Sequence, residues 1–476
     1  MKVLTAAQMR EADRRTIEAG VPGLILMENA AMRVVEFLAE RYGPLGGQRI
    51  AVFCGKGNNG GDGLAIARQL WTRHEARVQV VLACEPEEFR GDAAANWRML
   101  EVSGCPVANE CDPRTAIVVD ALLGTGLDGA PRGRVAERIA AIRAIEGAHV
   151  VAVDIPSGLG FDGVRAEATV TFAAPKVEHY LSAEADRVGE LVVAPIGIPA
   201  RFVEGEPEHW LHVTEAREVG ALLQPRARDG HKGTYGHVLV AGGAAGKSGA
   251  AAMAGLAALR AGAGLTTVAC DDASHMAPEL MTAPLDAPPV EGKTVLAIGP
   301  GLGTAPRAAA LLKRLLVGEC LRVLDADALN IAASEGLSIK GCVVTPHPGE
   351  MSRLTGRTTA EIQGNRLEVA REFARKRECT LVLKGHRTLV AFADGAVWIN
   401  ATGNPGMATG GSGDILTGMI AGLLAQFPER AREAVIAAVW LHGRAGDRAA
   451  EAMGEQCMIA TDLLEYLPRA MDDARV

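Results

Sequence analysis

Two successive series of short, continuous apolar runs, rich in β-branched residues and separated by helix-compatible stretches, constrain this chain more than any other feature. The first lies between Arg49 and Ile198 and reads RIAVFCG, VQVVLAC, AIVVDALLG, HVVAVDIPSG, TVTFAAP and GELVVAPIGI. Segments such as Gly63 to His74 and Asp92 to Val102 stand between them and suit helices. A strand with one wet face alternates apolar and polar residues, whereas these runs are apolar throughout, which predicts a parallel sheet covered by helices on both faces. The second series opens at GHVLVAGG (Gly236) and continues through LTTVAC, TVLAIGPG, LRVLDADAL, GCVVTPHPGE, CTLVLKG, TLVAFADG and AVWINATG. It closes on two long helical stretches, about Gly411 to Gln426 and Arg430 to Met453, and predicts a second α/β sheet with its own core. Between the series, Arg201 to Arg228 has no strong period and reads as a linker with room for one short helix. With 476 residues the chain exceeds what one core organises, and the boundary is set at residue 213, giving domains 1–212 and 213–476.

Composition removes several function classes. A net charge of −8 offers no basic face for nucleic acid and no polybasic stretch for a membrane. No run of about 18 apolar residues could span a bilayer, and the charged N-terminus has no signal-like apolar core. Nine scattered cysteines without a CxxC pair read as reduced thiols, so a cytoplasmic enzyme is expected.

The loop GKGNNGGDG (Gly55 to Gly63) follows a strand and satisfies GxGxxG, but the acidic residue expected at the end of the next strand is only loosely matched by Glu85. Its unusual content is Asn58, Asn59 and Asp62, for which a plain turn is the alternative. Asp120 and Asp154 end two other strands of the same series and so fall on the same edge. Oxygen donors from Asn59, Asp120 and Ser157 could hold a metal cation, leaving Asp154 to move a proton.

In the second half, AGGAAGKS (Ala241 to Ser248) fits a relaxed P-loop, but a stronger phosphate cradle lies downstream at GNPGMATGGSGDILTG (Gly403 to Gly418). Its glycines free backbone N–H groups at the start of an apolar helix, an arrangement that favours anions. Asp414 in that first turn would repel a phosphate unless it has a chemical task. The task that fits is accepting a hydroxyl proton as that oxygen attacks a phosphoryl group. HKGTYGH (His231 to His237), GPGLG (Gly299 to Gly303), Asp325, Asp327, His347, Glu350 and Lys384 each follow a strand and belong on the same edge.

Taken together and in order, NNGGDG, DALLGTGL, VDIPSG, HKGTYGHVLVAGG, GPGLG, TPHPGE, LKG and NPGMATGGSGD resemble the bifunctional NAD(P)H-hydrate repair enzymes, an epimerase domain fused to an ADP-dependent dehydratase. The resemblance implies a Rossmann-like three-layer sandwich followed by a ribokinase-like α/β domain. It implies that hydrated NADH or NADPH is held in the first domain by Asn58, Asn59, Gly60, Gly61 and Asp62, by Gly124, Thr125, Gly126, Leu127, Asp128, Gly129 and Ala130, and by Asp154, the expected acid/base. Potassium would be bound there by Asn59, Asp120 and Ser157. In the second domain it implies substrate contacts at Ala250, Gly303, His347 and Asp414. ADP, accompanied by magnesium, would be held by Lys384, Gly385, His386, Arg387, Thr388 and Gly413. A homo-oligomer that binds neither nucleic acid nor membrane is expected. Two positions depart from the family pattern: Ser248 stands where relatives often have proline, and VDIPSGLGFDG keeps only Asp162 where an acidic residue sooner after the Gly-Leu pair is usual. The rival reading is a ribokinase-like vitamin kinase carrying a non-catalytic N-terminal binding module.

Overall fold

Strand β1 (Arg49–Cys54) shows how the apolar runs are used. Ile50, Val52 and Cys54 enter a core cluster with helices Gly23–Tyr42 and Asn58–His74, while Ala51 and Phe53 enter another with helix Gly133–Arg143. Successive side chains of a strand point to opposite faces, so a run with no polar residue is what a sheet between two helical layers requires.

The computed structural model describes residues 1–126, 129–274 and 276–475. The chain forms two compact units, Lys2–His209 and Trp210–Val476, the second also taking in Met1. In the first, β1 is joined by β2 (Arg77–Leu82), β3 (Val107–Ala108), β4 (Ile117–Ala121), β5 (His149–Val153), β6 (Ala168–Phe172) and β7 (Glu190–Ala194). All pairings are parallel, in the order β3-β2-β1-β4-β5-β6-β7. Two helices precede this sheet, Ala6–Glu18 and Gly23–Tyr42, and the first starts with a capping box in which Thr5 and Gln8 satisfy each other's backbone.

The second unit holds β8 (Leu211–Val213), β9 (His237–Ala241), β10 (Leu265–Cys270), β11 (Met281–Pro284), β12 (Val295–Ile298), β13 (Leu321–Leu324), β14 (Val343–Val344), β15 (Thr380–Leu383), β16 (Leu389–Ala391) and β17 (Val397–Ile399). Their order is β11-β10-β9-β12-β13-β14-β15-β16-β17-β8, parallel from β11 to β15, with β16 antiparallel to both its neighbours. The expected boundary between 212 and 213 falls inside β8, which pairs with β17. Three residues beside a Pro- and Glu-rich stretch carry too little pattern to read as a strand, and the exposed edge strand β11 is equally faint.

Helix Ser412–Gln426 packs on helix Ser248–Arg260 through small residues. A methyl group at Gly418 would lie 2.1 Å from the carbonyl oxygen of Ala254. Gly418→Ala gains about 1 kcal/mol of helix propensity but forces two backbones apart at about 1–3 kcal/mol, so a net loss of stability is expected in chemical denaturation.

Candidate functional site

Where strand order reverses in a parallel sheet, the loops at the carboxyl ends diverge and leave a crevice. β1 has β2 on one side and β4 on the other, so the loops after β1, β4 and β5 frame that point in the first unit. A cavity of about 630 Å³ lies there, lined by Asn58, Asn59, Asp62, Gly124, Thr125, Gly126 and Asp154. Gly60 and Gly61 are buried and outside the lining. A Cβ on Gly60 would stand 1.7 Å from the Gly55 carbonyl oxygen, so only glycine lets the helix start this close to its own loop. Gly129 and Ala130 are exposed and outside the lining, and Leu127 and Asp128 lie outside the described residues. Asp162 points elsewhere, paired with Arg143 and Arg187 at 2.6 Å each.

Asp154 adopts a left-handed backbone, φ +67°, uncommon for a residue with a side chain and typical of functional turns. Its N–H donates to Val170 O at 2.8 Å, and its own carbonyl accepts from His179 Nε2 at 2.8 Å. Its carboxylate Oδ1 accepts from Lys176 Nζ at 2.6 Å and from Thr171 Oγ1 at 2.9 Å. Burial alone would raise this carboxyl, but Lys176, His179 and Thr171 together hold it below the usual carboxylate range. Lys176 is 1% exposed and also donates to Thr171 Oγ1 at 2.8 Å and to Phe172 O at 3.1 Å. Burial and the neighbouring ammonium push His179 down to about 4, which fits a neutral ring accepting from Lys176 N on Nδ1 at 3.0 Å. Sequence reading missed both residues, although a lysine directly after the buried run TVTFAAP already demanded a partner.

Asp120 is fully buried and accepts from Ser157 Oγ at 2.6 Å and Ser157 N at 2.8 Å. Burial raises it to about 6 despite these bonds. Asn59 Nδ2 donates to Leu123 O at 2.8 Å, while its buried Oδ1 has no partner among the described residues. The donor set is therefore one carboxylate with neutral oxygens, and no cluster of three His, Cys, Asp or Glu side chains occurs among the described residues. Such a set suits a monovalent cation better than a divalent one.

In the second unit the order reverses at β9, which lies between β10 and β12. The loops after β9 and β12 lean on each other, with Gly243 N donating to Pro300 O at 2.9 Å and Ala244 N to Gly301 O at 2.8 Å. A Cβ on Gly301 would fall 3.3 Å from that of Ala250, which places Ala250 beside this loop. Lys247 of the P-loop lookalike is 3.5 Å from Asp327, whose Oδ2 accepts from Gly303 N at 2.7 Å. Between Asp325 and Asp327, Ala326 has φ +50°, a strained kink that sends the two carboxylates to different partners.

Asp325, 2% exposed, accepts from Lys384 Nζ at 2.8 Å on one oxygen and from Thr417 Oγ1 at 2.8 Å on the other. A Cβ on Gly413 would stand 3.2 Å from Lys384 Nζ, so the start of helix Ser412–Gln426 meets the lysine directly. Burial opposes the Lys384 charge, yet Asp325, Glu350 and Asp414 together raise it. Burial and Asp325 raise Asp414 to about 6, against the pull of Lys384. His347 caps helix Pro348–Thr355, accepting from Gly349 N on Nδ1 at 3.0 Å, while its own N–H donates to Glu350. Arg366 donates to Leu383 O at 3.3 Å and Lys384 O at 3.4 Å, holding the Lys384 to Thr388 loop against helix Arg366–Arg377. The Gly403 to Gly418 segment is pinned at both ends of its loop by helix Ala431–Met453: Asp447 accepts from Gly403 N at 3.0 Å and Asn404 Nδ2 at 3.1 Å, and neutral His442 donates to Ser412 O at 2.9 Å. His231 and Lys232 are exposed, and HKGTYGH leads into β9 rather than following a strand, so it stands at the amino ends of β9 and β10 and not on the expected edge.

A family model described as "YjeF-related protein N-terminus" matches residues 23–178, and one described as "NAD(P)H-hydrate dehydratase" matches 238–469. The bifunctional NAD(P)H-hydrate repair enzyme of Moorella thermoacetica is 43% identical over 98% of this chain and 96% of that protein. Its namesake from Coxiella burnetii is 41% identical over 97% of each. Among solved structures, the ADP/ATP-dependent NAD(P)H-hydrate dehydratase of Bacillus subtilis, co-crystallised with ATP and Mg2+, aligns with a TM-score of 0.51 at 34% identity, covering 55% of this chain and 98% of that one. A ribokinase-like superfamily protein from Enterococcus faecalis aligns at 0.50 and 31% identity, covering 56% of this chain and 96% of that one.

The Lys176–Asp154 pair generates a stability prediction. Lys176→Met leaves a buried carboxylate unpaired, which costs about 3–5 kcal/mol where Asp154 is ionised. The wild-type carboxyl is held below its ordinary range, so the pair's contribution is present at neutral pH and fades as pH falls through the carboxylate range. Denaturant unfolding at about pH 8 and about pH 4 should show the larger deficit at the higher pH.

Proposed function

Because the chain belongs to the family of the bifunctional NAD(P)H-hydrate repair enzymes, we propose that it restores hydrated NADH and NADPH by two chemistries, one in each unit. The first unit is the epimerase that interconverts the R and S hydrates, and the second is the dehydratase that acts on the S form. The observation that carries this reading is Asp414: a carboxyl in the first turn of an anion-favouring helix, beside Lys384 and Asp325, at the carboxyl edge of the sheet.

In the dehydratase, ADP lies with its terminal phosphate at the N-terminus of helix Ser412–Gln426, within reach of Lys384, and with its remainder along Gly385 to Thr388. His347, Gly303 and Ala250 hold the hydrated nicotinamide. Asp414 takes the proton of the C6 hydroxyl as that oxygen attacks the terminal phosphoryl group, releasing AMP. Backbone N–H groups from Gly411 to Gly413, together with Lys384, stabilise the charge that develops on the phosphoryl oxygens. Phosphate then leaves C6 and one of its oxygens accepts the proton lost from C5, so the ring double bond returns. Magnesium accompanies the nucleotide.

In the epimerase, Asp154 handles the hydroxyl proton, and Asn58 to Asp62 with Gly124 to Ala130 surround the substrate. Asn59 Oδ1, Asp120, Ser157 and the Leu123 carbonyl fit potassium, which would offset the Asp120 charge and fix the loop ends that frame the substrate. Nine unpaired cysteines fit a reducing cytoplasmic compartment. No described helix is long and apolar enough to cross a membrane.

Chemically hydrated NADH, followed by epimer-resolved chromatography with ADP against ATP and potassium against sodium, tests the reading; no regeneration of NADH with either nucleotide overturns it. Asp414→Asn should lose dehydration by about 10²–10⁴-fold while epimerisation persists, and Asp154→Asn should do the converse. Asp414 acts ionised and is raised to about 6, so kcat/KM for dehydration should rise with pH through about 6 and level off above it.

A further inference from the structure

The cavity of the first unit contains a carboxyl that the mechanism above leaves idle. Asp13 belongs to helix Ala6–Glu18, ahead of the stretch 23–178 matched by the family model, yet it lines the same cavity as Asp62, Asp154 and Lys176. Among the described residues no group donates a hydrogen bond to it.

Three carboxyls thus share one ammonium, and Lys176 is committed to Asp154 at 2.6 Å. The other two are poorly compensated. Burial, partly offset by Lys176 and reinforced by Asp154, raises Asp13 to about 6, and burial with both neighbouring carboxylates raises Asp62 well above its ordinary range. Asp13 can thus give up a proton and take it back near neutrality.

Epimerisation at a carbon bearing both a hydroxyl and the ring nitrogen requires one of these bonds to break and re-form on the other face. When the carbon–nitrogen bond breaks, the hydroxyl proton goes to a base and the nitrogen receives a proton from an acid, giving an aldehyde and an enamine. Rotation about the neighbouring carbon–carbon bond and the reverse transfers close the ring with no net change in atoms or oxidation state. A single carboxylate held by a lysine cannot serve both ends at once. We propose that Asp13 is the second catalytic residue of the epimerase, protonating the ring nitrogen as Asp154 accepts the hydroxyl proton and recovering its proton on closure. This rests on the epimerase reading above. The N-terminal helix would then be part of the active site as well as a cover for it.

The test is kinetic and uses the full chain. Asp13→Asn should lower kcat for epimerisation by about 10²-fold or more with KM within about threefold, leaving ADP-dependent dehydration of the S hydrate intact. Asp13→Ala should show the same loss and regain activity with added formate or acetate, which only a correctly folded cavity lacking a proton carrier would do. Retention of kcat within about threefold in Asp13→Asn, or a loss confined to KM without rescue of Asp13→Ala, overturns the assignment while the epimerase reading stands. A wild-type chain that does not interconvert the epimers overturns both.

Discussion

A buried aspartate held by a lysine at the carboxyl edge of a parallel sheet is the interaction on which both halves of this protein depend. In the first unit Lys176 reaches Asp154 at 2.6 Å, and in the second Lys384 reaches Asp325 at 2.8 Å. Neither pair is a strong source of net stability, because removing two charges from water costs about as much as their attraction returns. What each pair fixes is position and protonation state. Asp154 stays ionised although buried, and Lys384 stays charged beside the start of helix Ser412–Gln426.

The two sites then use opposite electrostatic settings. Asp154 is held low by its ammonium, whereas Asp414 is raised by burial and by Asp325 against the pull of Lys384. The same residue types are therefore set differently by where each unit places its lysine. The Gly403 to Gly418 segment is itself rigid: Asp447 and His442 hold the two ends of its loop, and Gly418 and Gly422 lock the following helix onto its neighbour. A helix N-terminus that must stabilise charge at the moment it forms works best when it need not reorganise.

Much of this was legible in the chain. Apolar runs predicted both sheets because a strand covered on two faces has no polar alternation to hide it. Asn58, Asn59, Asp62, Asp120 and Asp154 could be assigned to one edge because each follows a strand of the same series, and Asp414 stood out as a carboxylate where an anion should bind. The short strands β3 and β8 carry too little pattern of their own to be read, and the boundary expected at 213 cuts β8.

Sequence by itself determined the order of the longer strands, the two sheets and the loops at their ends, because periodicity and glycine spacing are local properties. Only the tertiary structure decided which charges neutralise one another. Lys176 lies 22 residues from Asp154, Lys384 lies 59 from Asp325, and Asp13 reaches the cavity from a helix ahead of the first sheet. Such pairings cannot be read from spacing, since they follow from which strand ends the sheet brings side by side and from how little water is left between them. The protonation states on which both mechanisms turn are set by that burial.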